Sequence, residues 1–430
     1  MVQHFIFNKR PFNGLLLFIA LLQLLNAEKS LVTEIEINGN VKTLDYILRR
    51  EIQHDISVPL DSQRVEDDIR RLKNLGLFSS VNWNIIPLNS QSVKLIYSVT
   101  ESIQNLPPAI VPSYDEKTGW SLIGSQLWTN WKGKNQIVAL KGSIGGKYTY
   151  GITFNDPWKF GNHVSMNMQA EKLMFKHNFL GYDITRYFFK TDFGRWYGEQ
   201  IKTKIGFLFN LETLENQIKD NNLEFNYISI IPALAYDTRD IYWAPSKGIY
   251  WSNNLNYNFD LYNYNFYNFL WKSSFSYFTE LFKSNKKAIF GFNMTYSLIN
   301  GKYDVPWYIS IGDAYSIRGW QIPRNDLYDS KNEDFRFGYN YIHSSIEFRK
   351  EVIPKFVTDF GVESGLSYVL FIDSGLITDE GLKQPKMYGG GIGIRIPFPV
   401  INLLRIDYGW GYRNGEWNKG SLHWGVLHKF

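Results

Sequence analysis

His163-Val164-Ser165-Met166-Asn167-Met168-Gln169-Ala170-Glu171 alternates polar and apolar residues without a break. That two-residue period is the reading on which the class of this chain turns. Successive side chains of an extended strand point to opposite faces, so Val164, Met166, Met168 and Ala170 share one face and the polar residues the other. The period recurs where Leu255, Tyr257 and Phe259 alternate with Asn254, Asn256 and Asn258. From Lys117 to Phe430 no helical period outlasts a turn or two. Segments of about ten residues, apolar on one face and polar on the other, are the pattern of a membrane-spanning barrel strand. At about 20 residues per strand and connection, residues 116–430 accommodate about 16 antiparallel strands. Among sheets, only a closed barrel satisfies every backbone group in lipid.

Soluble sheets alternate too, so the rest of the chain decides the compartment. Lys9 and Arg10 precede an uncharged apolar run of 12 residues, Gly14 to Leu25, and Ala27 closes a cleavage site before Glu28. The run is too short to span a bilayer and reads as a secretion signal over residues 1–27. Its removal lowers the formal charge from +5 to +3, too near neutral for a nucleic-acid partner. Cysteine is absent, which excludes disulfides, thiolate metal sites and a cysteine nucleophile. Aromatic residues make up 17% of the chain, while mean hydropathy is only −0.27. A barrel with one wet face and aromatic girdles has this composition.

Before the barrel, residues 28–102 read as a β-α-α-β-β unit. Leu31 to Ile37 forms a strand ended by the turn Asn38-Gly39-Asn40. Leu44, Ile47, Leu48 and Ile52 mark one face of a first helix. Asp61 caps a second helix whose stripe is Val65, Ile69, Leu72 and Leu75, with Gly76 as its stop. Strands Ser79 to Ile86 and Ser92 to Val99 follow. The strand ending at Asn38-Gly39-Asn40, with Leu75-Gly76-Leu77-Phe78-Ser79-Ser80-Val81 after the second helix, resembles a polypeptide-transport-associated (POTRA) domain. Residues 103–115, with Pro107, Pro108 and Pro112, are expected to be a stiff linker.

Four barrel segments extend the resemblance. Gly133-Lys134-Asn135-Gln136 through Asp156-Pro157-Trp158 and Gly161 is similar to early hairpins of the outer-membrane-protein-85, or bacterial surface antigen, superfamily. Asp237-Thr238-Arg239-Asp240 with Pro245 and Gly248 resembles its mid-barrel turn. Phe371-Ile372-Asp373-Ser374-Gly375 resembles its late strand motif, and Gly389 to Arg395 with Leu404-Arg405-Ile406-Asp407-Tyr408-Gly409 its penultimate strands. Between Lys302 and Asp334 lies Ser316-Ile317-Arg318-Gly319-Trp320, similar to the loop motif that folds into the lumen in this superfamily. The resemblance implies that Arg318 pairs there with Asp373 and with Glu347 of Ser345-Ile346-Glu347-Phe348. A planar, permanently charged guanidinium suits such a latch, Gly319 permits close packing, and Trp320 supplies an apolar anchor. Trp320 stands where the superfamily more often has Phe or Tyr.

Leu422, Trp424, Val426 and Phe430 fall on one face of a last strand, His428 being the polar exception. Trp424, Val426 and Phe430 resemble the terminal signal by which assembly machinery recognises barrel precursors, and they are expected to face lipid. No Gly-x-Ser-x-Gly elbow, His-Glu-x-x-His spacing or phosphate loop is present, so no catalytic residue, metal ligand or cofactor is expected. His423 and His428, five apart, would lie on opposite faces of the strand.

The expectation is a bacterial outer-membrane barrel with one periplasmic POTRA domain. Expected partners are unfolded outer-membrane or secreted polypeptides, the lipid bilayer, and periplasmic chaperones or accessory subunits. The resemblance implies assembly and insertion of outer-membrane proteins, or export through a secretion pore for a dedicated partner. A passive or structural barrel stays open as a further class. Members with the main assembly role usually carry several POTRA domains and secretion pores usually two, so a single module fits neither pattern.

Overall fold

The computed structural model describes residues 30–430 except 105–106, 116–118, 146–147, 178, 217–221, 263–264, 283–285, 322–333, 359–362, 380–385 and 399–401. The expected signal at 1–27 lies outside the described residues, as does the 322–333 part of the Lys302–Asp334 connection. Two compact units part between Glu101 and Ser102.

The first unit contains β1 (Leu31–Asn38), α1 (Asp45–Arg49), β2 (Val58–Pro59), α2 (Ser62–Asn74), β3 (Phe78–Pro87) and β4 (Ser92–Glu101). The two-residue β2 is an addition to the expected β-α-α-β-β order. The sheet runs β2-β1-β4-β3, with β1 parallel to β4. Asp61 caps α2 as expected, its side chain accepting from the N–H groups of Gln63 and Arg64. The Asn38-Gly39 turn has a steric basis: Gly39 has φ +94, and a Cβ there would lie 2.0 Å from the Val99 carbonyl oxygen. Ile47, Leu48, Val65, Ile69, Leu72 and Leu95 fill the core. A carboxylate enters it. Asp68 accepts from the Tyr97 hydroxyl at 2.7 Å and the Gln53 N–H at 2.8 Å, and pairs with Arg71. Burial, and then the Asp68 carboxylate, push the Tyr97 hydroxyl above its ordinary range.

The second unit is the barrel. Its strands are β5 (Ala109–Asp115), β6 (Gly119–Trp131), β7 (Gln136–Gly145), β8 (Tyr150–Asp156), β9 (Val164–Lys176), β10 (Tyr182–Tyr197), β11 (Ile201–Asn216), β12 (Asn222–Asp237), β13 (Gly248–Asp260), β14 (Phe266–Glu280) and β15 (Ala288–Gly301). A long connection then holds the short β16 (Ile309–Ser310) and β17 (Phe337–Gly338), which pair with each other. The barrel resumes with β18 (Tyr341–Val357), β19 (Glu363–Ile377), β20 (Met387–Phe398), β21 (Asn402–Arg413), the two-residue β22 (Glu416–Trp417) and β23 (Ser421–Val426). Setting β22 aside, sixteen strands go round the barrel among the described residues, and the order closes with β23 beside β5.

The 103–115 linker needs correcting. Ala109–Asp115 is the first barrel strand, with Pro112 opposite Leu122. A proline removes one ladder donor but keeps its carbonyl and an extended φ, so it suits a strand at the seam where the sheet begins and ends.

Facing follows the alternation. Along the stretch quoted first, Met168 is turned outward and exposed, while Glu171 is buried and 2.5 Å from Lys141. Phe207, Ile230 and Ile372 are likewise exposed, whereas Asn210, Asn258 and Ser345 are buried. At one end of the barrel, Ile184, Leu214 and Phe225 pack with Val305 and Trp307 of the long connection. That connection therefore turns back from β15 over the ends of β10, β11 and β12.

Candidate functional site

Asp313 shapes the start of the loop. Its side chain accepts from the N–H groups of Tyr315 and Ser316 and from the Ser316 hydroxyl, closing a tight turn. Arg336 holds the legs of the loop together, donating to the carbonyls of Ile311 at 3.1 Å, Gly312 at 2.8 Å and Gln321 at 2.5 Å. Gly312 makes room for it, since a Cβ there would stand 2.7 Å from the guanidinium.

Held in this way, Arg318 is fully buried against the strand wall. Its Nε donates to Asp373 Oδ2 at 2.8 Å and a terminal nitrogen to Oδ1 at 3.0 Å, the two-pronged geometry that favours arginine over lysine. The Arg318 backbone N–H reaches the same carboxylate at 2.9 Å. The other terminal nitrogen donates to Glu347 at 2.7 Å and to Asp407 at 3.1 Å. The guanidinium also lies 3.6 Å from the centre of the Phe371 ring.

The strands are cut to receive the loop. Gly319 has φ +92, and a Cβ on it would come within 2.5 Å of the Trp410 carbonyl carbon. Its N–H donates to His423 Nε2 at 2.9 Å, and its carbonyl accepts from Asn418 at 2.7 Å. On the wall, a Cβ at Gly389 would sit 1.8 Å from the Arg318 carbonyl oxygen. Trp320 donates to the Tyr388 carbonyl at 2.8 Å and packs edge-on against Phe335.

Arg318, Gly319, Trp320, Glu347 and Asp373 therefore meet. The sequence reading did not assign Asp407, although its strand was singled out, nor the cations on the same wall. Arg395 lies 2.5 Å from Asp407, and Arg349 lies 2.8 Å from Glu347. Arg405 is 3.8 Å from Asp407, its guanidinium making no hydrogen bond among the described residues. A visible signal was charge on alternate positions, as in Leu404-Arg405-Ile406-Asp407, which puts both charges on the inward face. A charged pair removed from water holds together only when its hydrogen bonds are met, and Arg318 meets that condition.

At the other predicted site, Leu422, Trp424 and Val426 project outward and are exposed, as expected for lipid-facing residues. Phe430 does not join them. β23 ends at Val426, and Phe430 stacks on the buried Phe278, ring centres 5.8 Å apart. The period-two reading placed Phe430 on the lipid face, but Leu427 has φ +61 and breaks the period before reaching it.

A barrel that follows a POTRA-like unit along the chain has counterparts. The model described as Omp85 superfamily domain matches residues 130–430. This chain belongs to the Omp85 superfamily. A POTRA model, described as surface antigen variable number repeat, matches residues 31–102. The outer membrane protein assembly factor BamA of Neisseria meningitidis serogroup B (strain ATCC BAA-335 / MC58) is 30% identical over 142 residues, 32% of this chain. That match spans only 18% of the relative's length. BamA from Haemophilus ducreyi lacking POTRA domains 1-3 superposes with a TM-score of 0.53 at 15% identity, covering 93% of this chain and 84% of that one. CdiB from Acinetobacter baumannii gives a TM-score of 0.55 at 14% identity over 93% of this chain and 74% of that one. CdiB from Escherichia coli gives 0.54 at 11% identity, with 93% and 76% covered. At such identities the structures share the fold. As an Omp85 protein, the chain forms an outer-membrane barrel with its POTRA domain in the periplasm.

Proposed function

We propose that this Omp85 protein is an outer-membrane assembly factor, recruiting unfolded polypeptides through its POTRA domain and passing them beside its barrel at the β5–β23 seam. The observation that carries this reading is the occupied lumen wall. Loop residues around Arg318 are bonded to Asp373, Glu347 and Asp407 on β19, β18 and β21, and Phe430 stacks on Phe278, so a chain threaded along this side of the interior would have to displace those contacts. A route beside the barrel leaves those contacts in place. β3 ends the POTRA sheet order and offers an unpaired edge among the described residues. An extended client can add to such an edge through main-chain hydrogen bonds, which require no particular client sequence. Periplasmic chaperones or accessory subunits would deliver clients to that edge.

Depleting the protein and comparing outer-membrane and secreted proteomes tests the proposal. Broad loss of barrel proteins is the expected result. Loss of one exported protein alone would replace assembly by dedicated secretion, and no loss of either kind would leave a passive or structural barrel.

A further inference from the structure

We propose that Lys429 is a second cation of the latch, a positioning residue that ties the closing strand β23 to the loop carrying Arg318. The inference rests on the reading above that the β5–β23 seam is the working edge of the barrel. Beyond Val426 the chain leaves the sheet, because Leu427 adopts φ +61 while its N–H still donates to the Leu403 carbonyl at 2.7 Å. The following residues turn inward. Lys429 Nζ lies 3.0 Å from Asp373 Oδ2 and 2.9 Å from Ser345 Oγ, and donates to the Ser316 carbonyl. Lys429 is thus bonded both to the carboxylate that holds Arg318 and to the loop backbone two residues before it.

Phe430 adds a second grip. The Arg349 guanidinium lies 5.0 Å from its ring and 5.2 Å from Phe278, and donates to the Phe430 carbonyl at 3.0 Å. Gly291 leaves space for the ring, for a Cβ there would stand 3.2 Å from it. β23 itself is short, pairing with β21 only from Leu404 to Gly409. A strand held by so few ladder bonds depends strongly on what anchors its end, and a charge-assisted bond is stronger than a ladder bond. Since Asp373 Oδ2 is shared by Arg318 and Lys429, β23 cannot swing outward with the latch undisturbed. Loop and seam move together.

The test uses the full chain in lipid nanodiscs, with spin labels at Ile110→Cys and Leu422→Cys on neighbouring strands. Both positions are exposed, and the chain has no cysteine of its own to label. Pulsed electron paramagnetic resonance reads the distance across the seam. Lys429→Ala is expected to raise the ratio of open to closed seam about five-fold or more, and Lys429→Arg to restore the closed distance. Arg318→Ala should open the seam too, with the double variant opening it by less than the product of the single effects. An unchanged distance in Lys429→Ala, or equal opening in the Arg and Ala variants, would overturn the tether. If Lys429→Ala does not insert, Lys429→Gln, which is uncharged and one bond shorter than lysine, takes its place, and the same distance criterion applies. The two proposals fail separately. A seam that opens in Lys429→Ala while depletion spares the outer-membrane proteome keeps the tether and removes the assembly reading, and the converse pair of results does the reverse.

Discussion

Inside the POTRA domain Ile47, Leu72 and Leu95 are buried side by side, whereas inside the barrel the largest fully buried side chains are Arg318, Arg336, Arg395 and Arg405. The backbone rules are the same in both units, but the surroundings differ. A domain in water gains by turning its apolar residues inward. A barrel in lipid gains by turning Phe207, Ile230, Ile372 and Trp424 outward, leaving the interior to polar groups that must satisfy one another. Asp68 in the POTRA core and Asp373 in the barrel show the difference at one residue type. Asp68 is a carboxylate set against an apolar core, held by Tyr97, Arg71 and nearby N–H groups. Asp373 belongs to a wall where charge is the packing material.

Three experiments would break or sharpen this contrast. The largest effect is expected for Arg318→Ala, which leaves Asp373, Glu347 and Asp407 short of a cation at the centre of the wall. Breaking a buried pair costs about 3–5 kcal/mol, so a loss near 4 kcal/mol of barrel stability is expected, seen as a lower melting temperature and easier proteolysis of the loop. Arg318→Lys should recover only part of it, since an ammonium lacks the planar fork. In a double-mutant cycle with Asp373→Ala, effects that simply add would show that the two residues do not act as a pair.

Leu72→Ala probes the other interior. The side chain is fully buried in the POTRA core, and truncating it should cost about 3 kcal/mol. Hydrogen exchange on the whole protein should show faster opening across residues 31–101 with barrel melting unchanged. A barrel that weakened in step would mean that the two cores are not independent.

The smallest effect is expected from Asp61→Ala, which removes the α2 cap at a cost of about 1 kcal/mol. Amide exchange at Gln63 and Arg64, the donors to that cap, should quicken before any other part of the helix responds. Unaltered exchange there would mean that the carboxylate is not what satisfies those N–H groups.

Much of this was legible in the residues. Period-two alternation named the barrel, and the Asp61 to Gly76 stretch located α2, because both patterns are local. Arg318, Glu347 and Asp373 were reached by resemblance, and Arg318 bonds to both acids. Arg395, Arg405 and Asp407 could have been read from charges on one face of a strand whose other face is apolar. Lys429 and Phe430 could not. Their inward course depends on the sign of one φ at Leu427, a residue type that carries no turn signature. Pro112 misled in the opposite direction, because prolines common in linkers also occur in strands beside a seam.

The Arg318 cluster also has a place in time. Its partners are far along the chain: Asp373 is 55 residues from Arg318 and Asp407 is 89 away, His423 is 104 residues from Gly319, and Lys429 is 113 from Ser316. Contacts of such long range form late, after many loops have closed. The loop can emerge early, yet it has nothing to grip until β19, β21 and the residues after β23 have arrived. A completed latch therefore requires that β18, β19, β21 and the residues after β23 are all in place, and a chain stalled before its closing strand would hold Arg318 with its set of partners unfinished.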